Sequence, residues 1–379
     1  MKYFICAGEA SGDFHASLLI AALKEKDHEA QFRFLGGRLS INQIGHEPII
    51  DIKEMSVMGF GEVIRKLPSI LGHLKKAKKC LSEWRPDAVI LIDYPSFNLK
   101  LAKHAHSLGL KVYWYISPKV WVWKEHRVKP LKKYVDKLFC ILPFEVEYFK
   151  QRHDWNVEYV GNPSVEEVTQ FKQQHNVKPS IEIADILGGP TDKPILALLP
   201  GSRFKEVKSN LPIMVEAAAA IPGYTAVVSG VSQLPNSLYE ELAPGLPVIT
   251  DNAFGLLECS QAALVTSGTA TLETALFKVP QVMLYRHSGS KIAYKLFRRL
   301  LKVRYFSLPN LITDNETICE LVMHFCTPEA VKEKLVEILP GGNKYAEQQS
   351  NYGKMTELLG TASPSVTVAN LIFKDISKN

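Results

Sequence analysis

Along most of the chain, short unbroken apolar runs alternate with longer stretches of mixed character. A run of four to eight apolar residues between turn signals reads as a strand buried on both faces of a parallel sheet, and the mixed stretches read as helices. Strands are predicted at residues 3–7, 32–35, 87–93, 111–117, 136–143 and 157–160. A second set is predicted at 195–199, 224–229, 247–250, 262–266 and 279–285, the last closing its sheet. Helices follow the strands, from residue 14 to about 24, up to about 221, near 238, and through 327–379 with a break at Gly341-Gly342. The alternation stops at Pro163, gives way to a polar, helix-prone stretch over 164–193, and restarts at Pro194. The fold class is therefore α/β with two doubly wound halves, and the boundary lies near Pro163. A length of 379 residues, too much for one core, agrees.

Two stretches stand apart from this alternation. Residues 55–81 interleave Met55, Met58, Phe60, Val63 and Leu67 with Arg65, Lys66, Lys75 and Lys79. Residues 291–308 set Lys291, Lys295, Arg298 and Arg304 among Tyr294, Phe297 and Phe306. A basic amphipathic segment can lie on a bilayer. A helix with its apolar side in the core and its lysines in water is the structural alternative. Pro68 is expected to break or kink the first segment.

Composition narrows the class. The chain is 46% hydrophobic and 22% charged, as a soluble globular protein is. Lys+Arg 45 against Asp+Glu 39 leaves a charge of +6, a mild excess that serves an acidic ligand or an anionic membrane surface. No dense basic tract or zinc-finger spacing argues for nucleic acid. The six cysteines form no C-x-x-C pair, and several sit in apolar runs, so they read as reduced, buried thiols. The first apolar run meets Glu9 too soon for a signal sequence, and no run reaches the ~18 residues of a membrane span. A cytoplasmic protein with peripheral membrane contact is expected.

The candidate chemistry sits in turns at strand ends. LLPGSRFKEV runs from a strand through Gly201 and Ser202 into a helix start at Arg203. Unpaired amides and the helix dipole favour an anion there, and the guanidinium suits a phosphate. SGTATLE repeats the arrangement with Ser267, Gly268 and Thr269, and Glu273 lies one turn further in, within reach of a ribose hydroxyl. Capping alone is the alternative for both. In the first half GEASGD places Glu9, Ser11, Gly12 and Asp13 after the first strand. Glu9 and Asp13 cannot both cap one helix, so one of them is a site candidate. Asp93 ends an apolar run, at the end of a parallel strand that opens onto the ligand crevice, and is a general-base candidate, with a cap of the next helix as the alternative. SPKVWVWKEHR, from Ser117 to Arg127, sets two tryptophans beside Lys124 and Arg127, which suits an acyl chain with an anionic head group, with Trp packing at a domain surface as the alternative.

These motifs, in order along nearly the whole chain, resemble the lipid-A-disaccharide synthase family. They are AGEASGD, VMGFGEV (57–63), IDYPSFN, SPKVWVWKEHRV, LPFE, LLPGSRFKEV, SGTATLE, the Tyr285-Arg286 pair and SLPN. The resemblance implies two Rossmann-like domains of the GT-B type facing a central cleft: residues 1–163 for the acceptor and membrane, 164–344 for the UDP-sugar, with helices over 345–379 packing back on the first. It implies an inverting transferase that moves 2,3-diacylglucosamine from UDP-2,3-diacylglucosamine to the 6-hydroxyl of lipid X at the cytoplasmic face of the inner membrane. No cofactor and no metal is implied. Some members form dimers, so a homodimer is a further expectation.

The family often carries Asp where Ser96 stands, and its absence here leaves Asp93 as the main base candidate. Glu9 and Asn98 join it as catalytic or orienting groups. Ser11, Gly12, Asp13, Met58, Glu62, Ser117, Trp121 and Arg127 are assigned to acceptor and lipid. Gly201, Ser202, Arg203, Ser267, Gly268, Thr269, Glu273, Tyr285 and Asn310 are assigned to UDP. Rival readings are a UDP-sugar 2-epimerase, a GT-B transferase of soluble sugars, and a carrier on the same fold. A dehydrogenase is disfavoured because no G-x-G-x-x-G is present.

Overall fold

The computed structural model describes residues 1–55, 67–174, 193–286 and 303–378. The chain forms two units, Met1–Pro163 with Thr361–Asn379, and Ser164–Gly360. The first holds seven parallel strands: β1 (Lys2–Ala7), β2 (Gln31–Gly36), β3 (Ile50–Asp51), β4 (Ala88–Ile92), β5 (Lys111–Tyr115), β6 (Lys137–Cys140) and β7 (Glu158–Tyr159). Their spatial order is β3-β2-β1-β4-β5-β6-β7. The strands are apolar at both parities because both faces are covered. Phe4, Cys6, Val89 and Leu91 enter the core on one side, and Tyr3, Ile5, Ile90 and Ile92 that on the other.

The second unit repeats the plan with β8 (Ile195–Leu199), β9 (Thr225–Gly230), β10 (Val248–Thr250), β11 (Ser260–Thr266), β12 (Gln281–Tyr285) and β13 (Cys319–Val322). Their order is β10-β9-β8-β11-β12-β13, again all parallel. In each unit the order reverses beside the first strand. The connections leaving β1 and β4, and those leaving β8 and β11, therefore diverge, and each pair leaves a crevice at the carboxyl ends.

Several expectations change. β12 does not close its sheet: β13 lies outside it, with Val282 opposite Cys319. Pro68 falls in the first turn of helix Leu67–Trp84, where no partner for its nitrogen is required, and the stretch before it lies outside the described residues. That helix sends Leu74, Ala77, Cys80 and Leu81 into the core and leaves Lys75, Lys76 and Lys79 exposed, the arrangement of a core helix. Residues 56–66 and 287–302, with Met58 and Glu62, lie outside the described residues. Helix Tyr345–Leu359 belongs to the second unit. There Gln348 exchanges hydrogen bonds with the Gln281 backbone, and the Tyr352 hydroxyl donates to the Val279 carbonyl. The six cysteines are free, and Cys6, Cys80, Cys140 and Cys326 are buried.

The return of the last helix, Pro364–Ile376, to the first unit depends on a close backbone approach. Val368, Ala369 and Ile372 are fully buried, among residues of helix Ala10–Lys26. The Tyr113 hydroxyl donates to Asp375 at 2.7 Å. Gly161, at φ +99°, lies so close to the Ala362 carbonyl that a Cβ would overlap it. Backbone cannot swing aside as a side-chain tip can, and the left-handed φ adds strain for any L residue. Gly161→Ala is expected to lower stability by about 2 kcal/mol or more. Amide exchange should rise first in Pro364–Ile376. An unchanged urea midpoint with unchanged exchange would rule this out.

Candidate active site

The crevice between β1 and β4 gathers most of the first unit's candidates. Asp93 and Tyr94 follow β4 with φ of +42° and +49°, two consecutive non-glycine residues in the left-handed region. Asn98 holds them there. Its buried amide donates to the Asp93 carbonyl at 2.8 Å and to the Ile92 carbonyl at 3.3 Å. Gly8, after β1, accommodates the Tyr94 ring so closely that a Cβ would strike it. The turn thus folds Tyr94 back onto β1 and leaves the Asp93 side chain at the crevice.

There the Asp93 carboxyl is held above the usual carboxylate range. The surrounding protein desolvates it, the Glu9 carboxylate repels its charge, and Lys119 and the Tyr94 N–H partly offset both. Its side chain nevertheless reaches solvent. A solvent-reachable carboxylate more basic than usual is what proton abstraction needs. Of the pair left open by capping, Glu9 is the exposed one. Asp13 is buried and accepts from the Gly37 and Leu39 amides at 2.7 and 3.0 Å and from the Ser40 hydroxyl at 2.5 Å. It caps helix Arg38–Ile44, so it shapes the site from within and is corrected from a substrate contact to a support. Ser11 is exposed on the first helical turn, and Gly12 is buried against Ala7.

Asp93 also lines a cavity of about 300 Å³ with Ser117, Lys119, Trp123, Lys124, Arg127 and Glu145. Two wall residues, Ile116 at φ +68° and Lys124 at φ +56°, are again left-handed. Arg127 donates to the Ser96 hydroxyl at 3.1 Å. Trp121 does not offer its face to a ligand: it is 6% exposed, and its indole N–H donates to Glu145 at 3.0 Å. Trp123, 60% exposed, is the tryptophan at the cavity, with Lys124 Nζ 3.9 Å from its ring centroid. Residue spacing in an irregular loop could not distinguish the two.

Glu145 was not singled out by sequence. It is fully buried at the start of helix Pro143–His153, accepts the Leu142 amide at 3.1 Å, and has a pKa raised to about 7 by burial. The LPFE motif is the signal that contained it, but a first-turn Glu reads as an ordinary cap.

In the second unit the crevice lies between β8 and β11. Gly201, at φ +103°, stands where a Cβ would come within 2.7 Å of Glu206. Arg203 is 82% exposed and pairs with Glu206 at 3.0 Å, and the same carboxylate accepts the Arg203 amide. The anion-binding end of helix Phe204–Ala219 is thus occupied by its own Glu206, beside exposed Ser202. The helix Thr269–Leu276 start differs. No side chain caps it, and Gly268 and Thr269 are exposed. Ser267 donates to the Phe306 carbonyl at 3.3 Å. The Glu273 carboxyl has no hydrogen-bond partner among the described residues, and burial raises its pKa to about 7. Tyr285 is half-buried at the end of β12.

Asn310 is corrected. It is fully buried and exchanges hydrogen bonds with the Ile318 backbone at 2.9 and 2.8 Å, so its side-chain amide is used within the loop as a support. Glu320, also missed, accepts from Asn310, from the Ser307 hydroxyl at 2.7 Å and from the Phe306 and Ser307 amides. Among the described residues no group of three or more His, Cys, Asp or Glu is placed to hold a metal ion.

Two Rossmann-like units in one chain, each with turns at the carboxyl ends of its strands, make a fold of the GT-B type. The lipid-A-disaccharide synthetase family model matches residues 3–369, and the chain belongs to that family. It is a UDP-sugar-dependent glycosyltransferase. The chain is 36% identical over 387 residues to a lipid-A-disaccharide synthase of Myxococcus xanthus (strain DK1622), covering 98% of this chain and 97% of that one. It is 35% identical over 375 residues to that of Nitrosococcus oceani, covering 97% and 94%. A solved UDP-GlcNAc 2-epimerase of Neisseria meningitidis superposes with TM-score 0.68 over 100% of both chains at 11% identity, a likeness of fold alone.

The buried acids give a pH dependence. Glu145, Glu167 and Glu273 each have a folded pKa raised from 4.5 to about 7, mainly by burial, with Glu273 and Glu166 also raising that of Glu167. A raised folded pKa means the folded state binds the extra proton, so stability is full below about pH 4.5 and lost as pH rises through 7. For Glu145 the loss is on the order of 3 kcal/mol. The urea midpoint is expected to be lower at pH 8 than at pH 5, with a smaller difference in Glu145→Gln. Equal slopes in both proteins would contradict the assignment.

Proposed function

We propose that the protein transfers 2,3-diacylglucosamine from UDP-2,3-diacylglucosamine to the 6-hydroxyl of lipid X. The products are the β-1,6-linked lipid A disaccharide 1-phosphate and UDP, with inversion in a single displacement. The observation that carries the reading is Asp93, a carboxyl made more basic than usual at the carboxyl end of a central parallel strand, beside a cavity lined by cations.

A sugar hydroxyl is a weak nucleophile until its proton leaves. Asp93 takes that proton as the oxygen attacks the anomeric carbon, a contribution of ~10²–10⁴-fold. The bond to UDP breaks on the opposite face, and its electron pair goes to the β-phosphate oxygen. Glu9 keeps Asp93 basic, and Asn98 fixes the backbone that aims it. On the donor side, the uncapped amides at Gly268 and Thr269 face the growing phosphate charge, with Ser267 and Tyr285 nearby. Arg203 serves the same charge once it leaves Glu206. Glu273, whose carboxyl has no hydrogen-bond partner among the described residues, accepts the ribose hydroxyls.

Both substrates carry acyl chains, so the reading places the protein peripherally on the cytoplasmic face of the inner membrane. Among the described residues no helix is long and apolar enough to cross a membrane. The exposed Trp123 at the cavity supports a lipid-facing rim.

Asp93→Asn is expected to lower kcat by ~10²–10⁴-fold with KM little changed. Purified protein with UDP-2,3-diacylglucosamine and lipid X, followed by UDP release and disaccharide mass, measures it. In the native enzyme the rate should fall on acidification at a pH above the ordinary carboxylate range, because the base must be ionised. Full turnover by Asp93→Asn would remove the base role.

A further inference from the structure

We propose that Lys119, Lys124 and Arg127 form a phosphomonoester subsite, which takes the phosphate of the acceptor sugar and so selects a phosphorylated acceptor over its dephosphorylated counterpart. The proposal rests on the reading above, in which the acceptor occupies the cavity beside Asp93.

All three cations line the same cavity of about 300 Å³ as Asp93. None of them has a carboxylate within ion-pair distance among the described residues. Elsewhere in this unit basic side chains do find such partners, as Lys137 does with Glu158 and Asp375 and Arg152 does with Glu125. The fold also fixes two of the three in place. Arg127 is tethered to the Ser96 hydroxyl, Lys124 lies over the Trp123 ring, and the Lys124 backbone is held at φ +56°. The anionic groups that share the lining are Asp93 and Glu145. Glu145 is turned inward to the Trp121 indole and the Leu142 amide.

The class of ligand follows from charge and size. A phosphomonoester carries close to two negative charges near neutral pH and offers three acceptor oxygens. A guanidinium fork with two ammonium groups matches that better than it matches a carboxylate or a neutral sugar. The cavity is at the small end of ligand pockets. It suits a sugar-phosphate head, and the acyl chains must leave by the mouth, where Trp123 is exposed. Ser96 gains a role here, since its hydroxyl orients the Arg127 guanidinium.

The test compares lipid X with 2,3-diacylglucosamine lacking the phosphate, as acceptors for the full-length enzyme in neutral phosphatidylcholine vesicles. The native enzyme is expected to prefer lipid X in kcat/KM by about ten- to hundredfold, the range of one or two charge-assisted hydrogen bonds. In Lys124→Ala/Arg127→Ala that preference should fall toward one, mainly through the KM for lipid X. Arg127→Lys, which keeps the charge but not the fork, should restore part of it. Thermal midpoints of the variants check that they are folded. A double variant that slows both acceptors equally, with the preference intact, would overturn the subsite. So would a loss that appears only on anionic phosphatidylglycerol vesicles whatever the acceptor, since the cations would then read the bilayer. If the native enzyme couples neither acceptor, the proposed function fails first. If it couples both equally well, the function stands and the subsite falls.

Discussion

One amide holds the first unit's chemistry in place. The Asn98 side chain donates to two successive carbonyls, Ile92 and Asp93, at the point where β4 would otherwise run straight on. Those bonds stabilise two adjacent left-handed residues, each of which costs about 1–3 kcal/mol on its own. The neighbouring β4 side chains are fully buried, so the strand cannot relax by sliding. The Tyr94 ring, pressed against Gly8, blocks the other way out. The strain therefore stays where it is made and exposes the Asp93 carboxyl. A helix cap in place of this turn would have bound that carboxyl to backbone amides and lowered its basicity.

The second unit has the same sheet order but uses its crevice differently. Where the first offers an acid, the second offers amides. Helix Thr269–Leu276 begins without a cap, and the neighbouring loop is tied down by Glu320, which gathers the Phe306 and Ser307 amides, the Ser307 hydroxyl and Asn310. Ser267 reaches into that loop through the Phe306 carbonyl. The polar side chains of the loop are used internally, which leaves the helix start as the open polar surface. Glu206 plays the opposite part at Arg203, filling an anion site with an anion of its own chain. A ligand there must compete with a partly exposed ion pair, the kind worth about 0–1 kcal/mol.

The strands were legible because a parallel strand covered on both faces has to be apolar along its buried length, and β4, β8 and β1 after Lys2 are. β3 and β13 were not, since two residues, or four that include Glu320, leave no such run. The turns that bear the site were legible as turns, because strand, glycine and helix start follow one another in the sequence. What each side chain does there was not. Asp13 bonds to residues 24 to 27 positions away, and Asn310 to a carbonyl that only the folded loop brings near. No local pattern encodes such partners. Trp121 and Trp123 are two apart in an irregular loop without strand or helix periodicity, so their opposite burial follows from tertiary contacts such as Glu145. Glu145 itself satisfies a local capping pattern completely, and that is why its burial at the cavity wall stayed hidden.

The opposing influences on Asp93 bear on when it is most basic. Burial and Glu9 raise its pKa, while Lys119 lowers it. A phosphate that paired with Lys119 would neutralise a cation that holds the carboxyl down and would add negative charge of its own nearby. Both effects push proton affinity upward. The base would then be strongest with a phosphorylated acceptor in place, and weaker in the empty site, where a strongly basic carboxylate would stand protonated for more of the time. On that account the cations do more than bind: recognition of the acceptor and activation of its hydroxyl become one electrostatic event, transmitted through Lys119.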